Sequence, residues 1–155
     1  MSQEKLIEIK NLKTFFNTEA GIAKAVNDVS FDIYKGEVLG IVGESGSGKS
    51  VTSMSINRLI PNPPGEIVGG EIFYKGSDLL EYSYEQMSEI RGKEISMIFQ
   101  EPMTSLNPVL RISSQMNEIL VKHEGLSDEE ATNKSIEMLK RVGIPEPERR
   151  IYDYP

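Results

Sequence analysis

The 155-residue chain has no cysteine and a single histidine, His123. Disulfides and thiolate metal centres are thereby excluded, and one imidazole cannot build a zinc site alone, so His123 reads as an ordinary residue on a helix face. No window approaches the roughly 18 apolar residues of a membrane span. The polar start Met1-Ser2-Gln3-Glu4-Lys5 also has no secretory apolar region, so the expected location is the cytoplasm or a surface facing it. Basic charge is scarce: 17 Lys and Arg against 24 Asp and Glu give a formal net charge of −7. Nucleic-acid partners normally leave a basic footprint, and none is expected here beyond local patches. Internal repeats and low-complexity segments are absent. The length and composition fit one soluble globular domain with a real core.

Against these absences stands Gly43-Glu44-Ser45-Gly46-Ser47-Gly48-Lys49-Ser50, which completes the G-x-x-x-x-G-K-[ST] phosphate-binding pattern. Glycines at 43, 46 and 48 permit backbone conformations closed to other residues, so consecutive N–H groups turn inward around a phosphate. Lys49 adds a cation for the β and γ phosphates, and Ser50 a small hydroxyl for the oxygen shell of Mg²⁺. A helix starting near Gly48 aims its positive end at the same anion. Glu44 is a variable position that contributes its backbone N–H. With Val51, residues 43–50 form the expected nucleotide-binding set.

The context agrees. Val38-Leu39-Gly40-Ile41-Val42 reads as a strand buried on both faces. Residues 50–60 contain no helix breaker, and Ile56, Leu59 and Ile60 share a helical face before Pro61. Earlier, residues 6–10 and 26–33 partly alternate as strands. Later, residues 70–76 form a glycine-bounded strand, Ser83-x-x-Gln86 caps a short helix reaching about Arg91, and residues 94–100 form another mostly apolar strand. From Pro102 helices take over. Ile112, Met116, Ile119 and Leu120 follow amphipathic spacing up to Gly125. Ser127-x-x-Glu130 caps a further helix with acids in its first turn and Lys140 and Arg141 in its last. Met103 and Met116 read as packing residues. The division expected is a β-rich, phosphate-binding part over residues 1–100 and a helical part over 101–155.

Together these features resemble the ATP-binding subunit of an ABC transporter, over nearly the whole chain. The resemblance implies an α/β fold, a P-loop NTPase of ABC type: a β-rich N-terminal subdomain plus P-loop core, followed by part of the helical subdomain, truncated. It implies ATP and Mg²⁺ as ligands. Ile98-Phe99-Gln100 is similar to the strand leading into the family's Q-loop, which gives Gln100 a role at the metal and the attacking water; taken alone, Gln100 also reads as the cap of a buried strand. Asn11-Leu12-Lys13-Thr14-Phe15-Phe16 matches the segment whose aromatic residue stacks on adenine. Phe16 is the first choice and Phe15 the alternative, since strand alternation points them oppositely, and either also reads as a packing aromatic. Gln100-Glu101-Pro102-Met103-Thr104-Ser105-Leu106-Asn107-Pro108 resembles the subfamily that imports dipeptides, oligopeptides or nickel.

The same resemblance implies partners: transmembrane permease subunits, met through the Q-loop region and helical subdomain, and a second ATP-binding subunit. It implies a peripheral position on the cytoplasmic face of the membrane. The family's Ser-Gly-Gly signature, magnesium-supporting aspartate, catalytic glutamate and switch histidine do not occur in these residues, and His123 lies too early for the last. The chain is therefore expected to be an N-terminal piece that binds ATP without hydrolysing it efficiently, with strand edges and apolar faces left exposed. Two other readings stand beside this one: an ABC-type ATPase acting on DNA or ribosomes, and a non-catalytic nucleotide-responsive interaction module.

Overall fold

The computed structural model describes residues 4–100 and 105–155. Two compact units follow one another along the chain, the first ending at Arg91 and the second starting at Gly92.

The first unit is built on an antiparallel sheet of order β2-β1-β3-β4. β1 (Lys5–Thr18) and β2 (Gly21–Tyr34) form a long hairpin; after α1 (Lys49–Ile56), β3 (Gly65–Tyr74) pairs with the other side of β1 and turns into the short β4 (Ser77–Asp78). Lys75 and Gly76 both have positive φ, 49° and 85°, as the tight turn between right-twisted strands demands. A 3-10 turn at Leu79–Glu81 and α2 (Tyr84–Ile90) complete the unit.

The burial pattern of β1 contains a change of parity. Ile7 and Ile9 are buried, yet so are Leu12 and Thr14, which strict alternation from Ile9 would turn to the opposite face. The register explains it: Ile9 pairs with Phe31 and Leu12 with Val29, so β1 holds one more residue than β2 between these pairs. The extra residue is absorbed as a bulge at Asn11, whose φ is 47°. Asn11 N–H donates to the Ser30 hydroxyl at 2.8 Å and its side-chain amide to Asp28 at 3.0 Å. On the other flank Gly70, at φ 96°, faces the bulge so closely that a Cβ there would lie 2.6 Å from Leu12 Cα. Leu12, Thr14 and Phe16 thus continue the buried face of Ile7 and Ile9.

Residues 38–42 and 94–100 do not form the strands expected from their sequence. Val38 and Ile98 are each 98% exposed and Val42 93%. A buried strand needs a hydrogen-bonded neighbour on each side, and no strand among the described residues pairs with either segment. The helix expected over 50–60 also stops early, at Ile56. Arg58 takes φ 50°, and its guanidinium donates to the carbonyls of Leu79 and Tyr82. Arg91 donates to the carbonyls of Asn57 and Arg58 at 2.8 and 2.9 Å, so tertiary hydrogen bonds replace the helical ones.

In the second unit α3 (Ile112–Glu124) packs on α4 (Asp128–Arg141), and α5 (Pro147–Arg150) follows. The contact is partly polar: Asn117 donates to Thr132 at 2.7 Å and accepts from the buried Ser135 at 2.9 Å. The apolar stripe expected on α3 is therefore only partly covered. Ile119 is exposed, while Ile112 and Met116 line an open apolar groove of about 440 Å³ with Leu106, Leu139, Ile144 and Pro145. Both expected capping boxes are present, at Ser83 and Gln86 and at Ser127 and Glu130. Met103 and the rest of 101–104 lie outside the described residues.

The second capping box carries a pH signature. Hydrogen bonds from the Ser127 hydroxyl, then from its backbone N–H, hold the Glu130 carboxyl below the usual carboxylate range. A group with a lowered folded-state pKa stabilises above its unfolded value, about 4.3 for Glu, and that contribution fades as pH falls through the folded value. Thermal unfolding followed by circular dichroism should therefore lose stability in this acid range. Glu130→Gln should lose less across the same window, and parallel curves for the two proteins would remove Glu130 from the account.

Candidate functional site

The glycine-rich loop runs into α1, which starts at Lys49 with Gly48 as its N-cap. By helix geometry the N–H groups of Gly48, Lys49, Ser50 and Val51 precede the first i→i−4 bond, which Thr52 N–H makes to the Gly48 carbonyl at 2.8 Å. No acidic side chain stands in the first turn to occupy them. The Lys49 ammonium folds back over the loop and donates to the carbonyls of Gly43 and Glu44, both at 2.7 Å, and to the Ser47 hydroxyl at 3.3 Å. Ser47 N–H donates to the Glu44 carbonyl at 3.2 Å, which closes the turn containing Ser45 and Gly46. Ser50 is exposed. One cation, a helix N-terminus and two hydroxyls thus meet at an exposed loop, an arrangement suited to a polyphosphate anion.

Of the three loop glycines, Gly48 is demanded by space, because it meets strand backbone, while Gly43 is crowded only by a hydroxyl that can turn away. A Cβ on Gly43 would come 2.7 Å from the Ser47 hydroxyl oxygen, and one on Gly48 would come 2.3 Å from the Ala25 carbonyl oxygen. Ala25 falls at an irregularity of β2, between the pairs Thr14–Val26 and Phe15–Lys24. The loop is therefore seated directly on the sheet backbone. Gly46 differs: its φ is 81° but a Cβ there would meet nothing within 4 Å.

Phe15 and Phe16 diverge as alternation requires. Phe15 lies under the Lys24 ammonium, 5.6 Å from the ring centroid. Phe16 is on the face that receives α1, half-buried, and paired with Gly65 of β3. Its ring occupies the space a side chain at Gly65 would fill: a Cβ there would be 2.6 Å from both Phe16 Cε1 and Ile60 Cγ2. Gly65 is thus required by the ring, and its φ is not among the positive ones. Gln100 belongs to the second unit, is exposed, and lies in a bend rather than at a strand end.

Three contributors escape the sequence pattern: Ala25, whose carbonyl abuts Gly48; Gly65, which makes room for Phe16; and Thr14, bonded to Ser55 of α1 at 2.8 Å. Each acts through a partner far along the chain. Only the alternation of Leu12, Thr14 and Phe16 carried a local hint.

This geometry has a family. The family model described as ABC transporter matches residues 26–155, and the chain belongs to that family. The oligopeptide transport ATP-binding protein OppD of Bacillus subtilis (strain 168) is 51% identical over 151 residues, covering 97% of this chain and 42% of that protein. The dipeptide transport ATP-binding protein DppD of Lactococcus lactis subsp. cremoris (strain MG1363) is 50% identical over 156 residues, covering 100% of this chain and 44% of that protein. The chain thus spans less than half the length of these relatives. Among solved structures, the dimeric structure of MJ0796, a bacterial ABC transporter cassette, superposes with a TM-score of 0.80 at 26% identity, covering 97% of this chain and 62% of that one. The same cassette in a post-hydrolysis state, bound to ADP and Pi, gives 0.78 at 25% identity over the same shares. The chain has part of the α/β P-loop fold of ABC type, a small antiparallel sheet plus helices.

The two kinds of loop glycine give an ordered expectation. Gly46→Ala meets only backbone strain, whereas Gly48→Ala adds a clash with a strand carbonyl, so both should destabilise by more than about 1 kcal/mol and Gly48→Ala by more. Urea unfolding of the two variants measures the order. Equal losses would show that Gly48 is not seated on Ala25.

Proposed function

We propose that this chain is the nucleotide-binding portion of an ABC transporter ATPase that couples ATP hydrolysis to peptide uptake. The observation that carries the reading is the Lys49 ammonium held across the glycine loop at the N-terminus of α1, where an incoming phosphate would replace the loop carbonyls as its acceptors. The peptide class is supported by about 50% identity to an oligopeptide and a dipeptide transport ATP-binding protein.

In this reading the N–H groups of residues 43–51 and Lys49 bind the β and γ phosphates. A cradle that a Cβ at Gly43 would fill fits such a group. Ser50 and Gln100 are the oxygen donors for Mg²⁺, which neutralises charge on the phosphoryl oxygens when bound. Phe16 is favoured over Phe15 as the adenine platform, because it shares the face of α1 while Phe15 is covered by Lys24 on the other. Gln100 orients water and reports to the membrane subunits, which meet its segment and the helical unit. A second ATP-binding subunit completes the site, and the assembly sits on the cytoplasmic face of the membrane; no helix of the described residues is long and apolar enough to cross it. Hydrolysis is catalysed by positioning and charge stabilisation, and a cradle with one glutamine supplies only part of that. The 155-residue chain alone binds ATP and turns it over negligibly.

Thermal unfolding with and without Mg-ATP tests the central claim. At one hundred times Kd, binding adds about 2.7 kcal/mol, and Lys49→Ala should remove most of that gain. An unchanged transition in the native chain would rule out nucleotide binding by it, and measurable ATP turnover lost in Lys49→Ala would overturn the expected inactivity.

A further inference from the structure

The side-chain hydrogen bond between α1 and β1 is made of hydroxyl groups. Thr14 and Ser55 are both fully buried, and their oxygens lie 2.8 Å apart. The Ser55 hydroxyl has one hydrogen, and its 2.7 Å contact with the Val51 carbonyl, an acceptor only, uses it. The Thr14 hydroxyl must then be the donor to Ser55. A directional chain results, from the Thr14 O–H to the Ser55 O–H to the Val51 carbonyl, ending in the first turn of the helix that follows the phosphate loop.

A pair of this kind sets position in a way an apolar contact cannot. Hydrogen bonds hold a narrow range of distance and angle, whereas apolar burial is indifferent to direction. Along β1, Phe16 is two residues beyond Thr14 on the same face, roughly 7 Å away at strand rise. Along α1, Lys49 is six residues before Ser55, roughly 9 Å up the helix axis. The buried hydroxyl pair is therefore the fixed point between an aromatic ring and an ammonium group.

We propose that Thr14 is a positioning residue that sets the span between the base platform at Phe16 and the phosphate cradle at Lys49, and so makes the site selective for a nucleoside triphosphate over a bare polyphosphate. The inference rests on the nucleotide-binding reading above. It adds a residue that touches neither ligand group and whose loss should be felt by one class of ligand only.

Isothermal titration of the full chain with Mg-ATP and with magnesium tripolyphosphate, which has phosphates but no base, separates the two spans. Thr14→Val should weaken Mg-ATP about five- to tenfold, on the order of 1 to 1.4 kcal/mol, and leave tripolyphosphate unchanged. Thr14→Ser, which keeps the donor, should restore the ratio. Ser55→Ala breaks the same chain from the helix side and carries the test if Thr14→Val does not fold. A parallel fall for both ligands, or no change in the ratio, would overturn the proposal. Phe16→Ala separates its failure from that of the reading beneath it. If that variant lowers the ratio while Thr14→Val and Ser55→Ala do not, the positioning role alone falls. If it leaves the ratio untouched, the base platform falls and the proposal with it.

Discussion

One residue more in β1 than in its neighbour decides which side chains face the helix. The bulge at Asn11 is held by Ser30 and Asp28 on one flank and tolerated by the backbone of Gly70 on the other. It turns an odd-numbered buried face into an even-numbered one. Leu12 enters the core, Thr14 finds Ser55, and Phe16 comes to the side of the sheet where α1 lies. With regular alternation, Lys13 would stand near Ser55 in place of Thr14, a charge in place of a small hydroxyl, and Phe15 would replace Phe16. Bulges commonly re-aim a side chain next to a functional site, and this one re-aims a whole half-strand.

The phosphate loop depends on that arrangement more than its own sequence suggests. Its glycines give it shape, but its seat is the Ala25 carbonyl of β2, and its helix is held by β1 through Thr14 and by Arg91 through the carbonyls of Asn57 and Arg58. The small antiparallel sheet is thus the foundation of the loop. Family membership and the superposition on an ABC cassette agree with this architecture, while the chain covers less than half of the transport ATP-binding proteins it matches.

What could be read from sequence follows from how local each cause is. The loop at 43–50, the capping boxes at Ser83 and Ser127, and the helices after Ile112 and Asp128 are specified within a few residues, and all formed where expected. The hairpin was legible as two alternating runs, but β1 and β2 each extend well beyond them. Residues 38–42 and 94–100 have the composition of buried strands and failed as strands, because a strand is a property of a pair and the pattern specifies only one member. Helix α1 ended early for the same reason: the carbonyl contacts of Arg58 and Arg91 reach across more than twenty residues. Gly70 reads in sequence only as the bound of a strand; in space Gly65 and Gly70 make room for Phe16 and for the bulge.

The phosphate loop is anchored at one end only. From Gly48 onward it is gripped by two strands, while residues 38–42 run up to it with no strand among the described residues paired to them. Lys49 sits at the gripped end and reaches back to the carbonyls of Gly43 and Glu44 at the other. Its side chain is therefore a tether as well as a charge: together with the Ser47 N–H bond to the Glu44 carbonyl, the ammonium draws the open end of the cradle toward the fixed one.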